Sequence, residues 1–304
     1  PWLRALRPHQ WTKNLLVLLP LLAEHRADAA GWAAALTAAA AFCLVASSAY
    51  VVNDLFDLEA DRAHPRKRAR PFASGELSAS AGAAIAPVLL AAGLALASLV
   101  SPLLLGVTAF YYGATLLYSM ALKRELVIDV CVLAGLYSLR LIAGAAAIDT
   151  RLSPWMLAFS AFIFLALAAM KRQTELVALM RGETEAEPAA GPLGRARAER
   201  RVATGRAYRA EDLPVITMMA IGAGYTAVLV LALYIYSPSV RALYESPLIL
   251  WAGPPILLYW ISRMVLIAHR GGMEDDPVIF ALRDRISHAC ALGIVLTALA
   301  ARSF

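Results

Sequence analysis

Nine runs of apolar residues, near 12–24, 31–52, 80–100, 102–121, 126–148, 153–170, 213–236, 246–268 and 286–303, govern what this chain can fold into. A helix rises about 1.5 Å per residue, so roughly 20 apolar residues cross the roughly 30 Å hydrocarbon layer of a bilayer. With 60% of 304 residues apolar, the chain has enough such positions for about nine spans. A charged fraction of 16%, against roughly 25% in soluble domains, and a mean hydropathy of +0.63 exclude an ordinary soluble enzyme and a disordered chain. The expected fold class is all-α: a polytopic membrane protein, a bundle of about nine transmembrane helices, with 1–304 forming a single domain.

A sequence pI near 9.4 suits nucleic acid only if the basic residues share one solvated face. Here they fall between the apolar runs. Of the 28 Lys and Arg, Arg26, Arg151, Arg241 and Arg302 fall on one side of the expected membrane and Arg140 within a run; all the others fall on the opposite side. The positive-inside rule places that richer side, with the N-terminus, in the cytoplasm of a bacterial inner (plasma) membrane. Topology therefore accounts for the pI, and no nucleic-acid partner is expected. Residues 182–208, with Glu183, Glu185, Glu187 and Pro188 before an Arg-rich stretch, read as a flexible basic cytoplasmic loop or as a basic lid on anionic lipid. Cys43, Cys131 and Cys290 lie apart in apolar runs and read as buried small hydrophobes. Small-residue stretches such as Ala91-Ala92-Gly93 and Ala143-Gly144-Ala145 suit close helix packing in lipid, although a GC-rich genome writes the same letters. Trp2 and Trp11 read as interface anchors.

The second run ends in Asn53-Asp54-Leu55-Phe56-Asp57-Leu58-Glu59-Ala60-Asp61. If the helix continues, Asp54, Asp57 and Asp61 share one face. Three carboxylates together need a cation. One reading is a hard divalent ion, because Mg²⁺ accepts carboxylates together with substrate phosphate oxygens. The other is an acidic helix end balanced by Arg62, Arg66, Lys67, Arg68 and Arg70 immediately downstream. Those cations read either as a topology signal or as ligands for the oxygens of a metal-bound diphosphate.

The NDxxDxxxD pattern of Asn53, Asp54, Asp57 and Asp61, with the number of spans, resembles the UbiA superfamily of intramembrane prenyltransferases. That resemblance implies a cytoplasm-facing polar cavity, Mg²⁺ held by Asn53, Asp54, Asp57 and Asp61, and catalytic roles for the three aspartates. Members usually carry a second motif, DxxxD. Here the sixth run ends instead in Lys171-Arg172-Gln173-Thr174-Glu175-Leu176, two cations and one carboxylate, which suits a donor with an additional phosphate. The alternative is a Lys171–Glu175 bridge at i,i+4. Arg7-Pro8-His9-Gln10-Trp11-Thr12-Lys13-Asn14, Asp61 to Lys67, Arg70-Pro71, Val127-Ile128-Asp129-Val130-Cys131, Lys171-Arg172 with Glu175-Leu176, and Glu274-Asp275-Asp276-Pro277 with Ala281-Leu282-Arg283-Asp284-Arg285 are similar to the branch that transfers phosphoribosyl to decaprenyl phosphate.

That branch implies transfer of a 5-phosphoribosyl group from phosphoribosyl diphosphate to a polyprenyl phosphate lipid, with release of diphosphate. Lys13, Lys67, Arg70, Lys171 and Arg172 are then the donor-phosphate candidates. Glu175 is a candidate for a second metal or a ribose hydroxyl, and Tyr118, Lys123 and Arg140 for the acceptor head group. His64 reads as a phosphate contact or a loop residue more readily than as a general base. Relatives of this branch also occur fused to a phosphatase-like domain, so a phosphatase domain upstream of Pro1, or a partner acting on the product, is expected. Two other functions compete: prenyl transfer from a polyprenyl diphosphate to an aromatic or small acceptor, and transport of a phosphorylated metabolite. The missing second DxxxD weighs against the first; charges gathered at one end of the spans, without internal repeats, weigh against the second.

Overall fold

The computed structural model describes residues 1–24, 28–63, 67–181, 207–241, 244–273 and 276–303. Its helices start where the sequence supplies caps. Asp28 accepts the amide of Gly31 (2.8 Å), Ser101 that of Leu104 (3.0 Å) and Ser153 that of Met156 (3.1 Å), each satisfying a first-turn N–H that has no partner within the helix. Pro102 and Pro154 follow two of these caps, where a missing amide costs nothing.

In chain order the helices are α1 (Trp2–Leu6), α2 (Leu19–Ala23), α3 (Ala29–Phe56), α4 (Leu58–Ala63), α5 (Ala79–Val100), α6 (Pro102–Met120), α7 (Ile128–Ala147), α8 (Pro154–Met180), α9 (Leu213–Tyr236), α10 (Gly253–His269), α11 (Pro277–Ala281) and α12 (Arg285–Ser303). Among the described residues eight helical segments are long and apolar enough to cross a membrane: α3, α5, α6, α7, α8, α9 and α10 with their short lead-ins, and α12. The chain is thus an all-α, multi-pass membrane protein.

The expected run over 12–24 takes another form. Pro8–Leu18 is an 11-residue 3-10 segment, and the five residues of α2 follow it. Pro20 has no amide for the carbonyl four residues before it, which prevents one regular helix through the run. At about 2.0 Å per 3-10 residue and about 1.5 Å per α residue, Pro8–Ala23 still reaches roughly 30 Å.

The chain forms two compact units. The first comprises Pro1–Ala121 and Leu136–Leu152. Within it α3 packs most extensively on α5, through Ala41 and Val45 against Gly93. A Cβ on Gly93 would lie 2.6 Å from a Val45 methyl, so the small residue here serves close backbone approach. The second unit comprises Leu122–Gly135 and Ser153–Phe304. There α8 lies along α9, and both pack on α10; a Cβ on Gly224 would meet Ile261 at 2.5 Å.

Trp11 donates its Nε1–H to Ser47 Oγ (3.0 Å), which fixes the 3-10 segment on α3. Cys131, expected inside, is exposed: it shares the outward face of α7 with Ile128, and an apolar thiol is at home against lipid. Residues 182–206 of the expected basic loop, His64, Arg66, Glu274 and Asp275 lie outside the described residues. Tyr208, at the loop's expected end, is buried.

The start of α12 rests on Asp284. Its carboxylate accepts the amide of Ser287 (2.8 Å) and a two-pronged pair from Arg263 of α10 (2.6 and 3.0 Å), while Trp260 donates to Ser287 Oγ (2.9 Å). The Arg263 hydrogen bonds, then those of Ser287, pull the Asp284 carboxyl down to about 2. A carboxyl lowered on folding stabilises above its unfolded pKa, roughly 3.9, and loses that contribution as the pH falls through its folded value. Asp284→Ala should therefore lower the melting temperature at pH 7 through the loss of about 1 to 2 kcal/mol and have little effect near pH 2. Equal losses at both pH values would show that the carboxylate charge is not what anchors α12.

Candidate active site

The acidic run does not lie on one continuous helix. α3 stops at Phe56; Asp57 takes φ −89° and ψ 8°, a turn geometry that a short polar side chain tolerates, and gives its amide to the Asn53 carbonyl (3.0 Å). α4 then restarts the chain, with the Asp61 amide on the Asp57 carbonyl (2.8 Å). The break nevertheless brings the outer carboxylates together. Arg70 Nη1 donates to Asp54 Oδ1 (3.2 Å) and to Asp61 Oδ2 (2.6 Å), and both aspartates are 2% exposed.

Arg7, which was not among the candidates, joins them. It stands in the left-handed region (φ 53°) where α1 meets the 3-10 segment, lies over the Tyr50 ring at 5.2 Å, and donates to Asp54 Oδ1 at 2.5 Å. Two buried carboxylates are thus balanced by two guanidiniums, without which burial of the charges would be prohibitive. Asn53 gives its Nδ2–H to Ser119 Oγ (2.9 Å), leaving its oxygen as an acceptor. Asp57 is half-buried and within electrostatic reach of Asp54.

Among the described residues no three or more His, Cys, Asp or Glu form a ready metal cage. The donor chemistry still fits a hard divalent cation. Carboxylate oxygens and an amide oxygen are its preferred ligands, and Asp54 and Asp61 already share one cationic nitrogen. Beside Arg70 a cavity of about 490 Å³ is lined by Leu3, Arg4, Pro8, His9 and Pro71 among others. Arg4 pairs with Glu76 and holds that exposed carboxyl below its ordinary range. Lys67 is half-buried in the turn Lys67–Ala69.

Deeper in the same unit Lys13 and Arg140 share an aromatic cluster. Lys13 Nζ lies 5.8 Å from the Tyr137 ring, and the Arg140 guanidinium lies 5.3 Å from Tyr137 and 5.0 Å from Tyr111. Arg140, 5% exposed, donates to Asn14 Oδ1 (3.0 Å), the Leu136 carbonyl (2.6 Å) and Tyr111 Oη (2.8 Å). Tyr118 is half-buried on α6 of this unit.

The second unit holds the remaining candidates. Arg172, 1% exposed, donates Nε–H to Asp129 Oδ2 (2.6 Å) and Nη1–H to Glu175; Asp129 is 0% exposed. Arg172 is thus enclosed between two carboxylates, whereas Glu175 and Lys171 are partly exposed, Lys171 at 3.5 Å from Asp276. Tyr208 accepts the Val127 amide on its hydroxyl (3.0 Å), and Val127 has φ 65°, strained for a branched residue. Burial pushes the Tyr208 phenol up. Lys123 is half-buried in the turn Leu122–Arg124.

A multi-pass helical bundle with buried carboxylates and guanidiniums at the end of a span defines a membrane protein with an enclosed charged site. The model of the UbiA prenyltransferase family matches residues 15–177, and the chain belongs to that family of membrane transferases. The nodulation protein NoeC of Azorhizobium caulinodans is 37% identical over 297 residues, 96% of this chain and 90% of that protein. A decaprenyl-phosphate phosphoribosyltransferase of Mycolicibacterium smegmatis is 42% identical over 179 residues, 57% of this chain and 56% of that protein. Among solved structures, a UbiA homologue of Archaeoglobus fulgidus bound to GPP and Mg²⁺ has the same fold, with a TM-score of 0.69 at 15% identity over 100% of this chain and 99% of that one.

Proposed function

We propose that the chain transfers a 5-phosphoribosyl group from phosphoribosyl diphosphate to a polyprenyl phosphate in a bacterial plasma membrane, with the Asp54 site on the cytoplasmic face. The observation that carries this reading is the meeting of buried Asp54 and Asp61 on one Arg70 nitrogen at the end of a membrane span. Such a site suits a diphosphate presented with a hard cation. Two features favour phosphoribosyl over prenyl diphosphate: Lys171 and Arg172 stand where a second pair of carboxylates is usual in the resembling superfamily, and the M. smegmatis phosphoribosyltransferase is 42% identical over 179 residues.

Asn53, Asp54, Asp57 and Asp61 would hold Mg²⁺, which when bound neutralises diphosphate charge and makes it a better leaving group. Arg70 and Arg7 hold the carboxylates in place before substrate arrives. Lys13, Lys67 and Lys171 bind donor phosphate oxygens, Glu175, held by Arg172, orients the ribose, and Tyr118 and Lys123 meet the acceptor. In the reaction an oxygen of the lipid phosphate bonds to ribose C1, and the C1–O bond to diphosphate breaks, with the electron pair leaving on diphosphate. The attacking oxygen is already anionic, so no general base is required.

The test uses purified protein in detergent with Mg²⁺ and radiolabelled phosphoribosyl diphosphate, with and without polyprenyl phosphate. Label should enter the organic phase only when both lipid and Mg²⁺ are present. Absence of transfer from folded protein across several lipid lengths, with transfer from labelled polyprenyl diphosphate instead, would establish the prenyl reading.

A further inference from the structure

The 3-10 segment Pro8–Leu18 is far longer than the three or four residues over which that geometry is common, so partners must hold it. Ser47 of α3 holds Trp11, and three residues of α7 at i, i+3 and i+7 supply further partners. Tyr137 lies under Lys13 Nζ, Arg140 donates to Asn14, and Gly144 meets Val17, whose carbonyl oxygen would lie 2.0 Å from a Cβ at that position. The spacing explains the geometry. From Asn14 to Val17 three 3-10 residues rise about 6 Å, and from Arg140 to Gly144 four α residues rise about 6 Å. An α-helical Asn14–Val17 would rise roughly 4.5 Å and slip out of register by roughly 1.5 Å.

Arg140 is therefore occupied. Its Nε, Nη1 and Nη2 all donate within the unit, and Asn14 in turn donates to Cys43 Sγ (3.3 Å). Cys43 precedes Asp54 by eleven residues on α3, about 16 Å along the axis.

We infer that Arg140 is a positioning residue: by holding Asn14 it locks the 3-10 register of Pro8–Leu18 on α7 and so sets the place of Lys13. The inference rests on the proposed function for the role of Lys13, but the lock itself can be read without any activity.

Arg140→Gln, Asn14→Leu and their double variant, purified as the full chain in detergent, separate the two. Each single change should lower the melting temperature by about 5 °C, and the double by little more than the larger single, because both remove one lock. Asn14→Asp, which keeps the acceptor oxygen, should melt near the parent protein. In the transfer assay Arg140→Gln should cut kcat/KM for phosphoribosyl diphosphate on the order of a hundredfold, the effect of misplacing a binding group by about an ångström, and leave the KM for the lipid unchanged. Added to Lys13→Ala it should cost little more. Additive melting losses, or a rise confined to the lipid KM, would overturn the inference, the latter making Arg140 a head-group contact. If the parent protein transfers no phosphoribosyl group, the proposed function fails and the melting cycle still decides the lock. If Arg140→Gln does not fold, Asn14→Leu against Asn14→Asp decides: destabilisation in the first alone supports the lock, and equal loss in both overturns it.

Discussion

Asp54→Ala and Asp57→Ala should each yield folded protein whose phosphoribosyl transfer falls by about a thousandfold or more. The chemical effect is large because the diphosphate leaves with several negative charges, and fixed groups that organise its cation are worth roughly a hundred- to a thousandfold each. The effect on folding should be smaller. Removing Asp54 takes one acceptor from Arg7 and Arg70, but both guanidiniums are partly exposed, so water replaces it, and Arg70 keeps Asp61. Asp57 stands at the turn between α3 and α4, where its amide closes the chain onto the Asn53 carbonyl, a bond that the alanine variant keeps. Thermal melting in detergent separates loss of chemistry from loss of fold. Full activity in both variants would sink the assignment of the cation and diphosphate to this end of α3.

The parts of this site that were legible in the sequence are those set by local pattern. Apolar runs of about twenty residues announced the spans, because the bilayer imposes one length on any helix that crosses it. Asp54, Asp57 and Asp61 announced a charged site, because carboxylates at a membrane mouth are costly without a reason. What stayed hidden depends on distant partners. The run over 12–24 reads as a helix by composition, but its 3-10 geometry is registered on Tyr137, Arg140 and Gly144, more than a hundred residues away. Arg7 stood in a run already singled out, yet its pairing with Asp54 spans 47 residues and no periodicity encodes it. The Lys171–Glu175 spacing suggested one local bridge; in the fold Arg172 takes Glu175, and Lys171 reaches Asp276. Asp129 is the buried partner of Arg172, a pairing that no local spacing encodes.

That last pair carries the largest expected effect on stability. Arg172→Leu leaves the fully buried Asp129 carboxylate without its guanidinium, and removing one partner of a buried ion pair costs about 3 to 5 kcal/mol. The melting temperature should fall by roughly 10 °C for a chain of this size. The double variant Arg172→Met with Asp129→Leu should recover most of that loss, because well-filled apolar side chains of similar volume replace a buried pair at little or no cost. Activity should not return with stability. Glu175, partly exposed, is held through Arg172 Nη1, so the double variant loses the orientation of that carboxylate while keeping the fold. A stable double variant with a kcat/KM for phosphoribosyl diphosphate at least about tenfold below the parent separates the two roles: Asp129 holds Arg172, and Arg172 holds Glu175. A double variant that regained both would show that the Arg172–Glu175 contact contributes nothing to transfer. One no more stable than Arg172→Leu would show that the site cannot close around apolar side chains, so that the charge pair itself is required there.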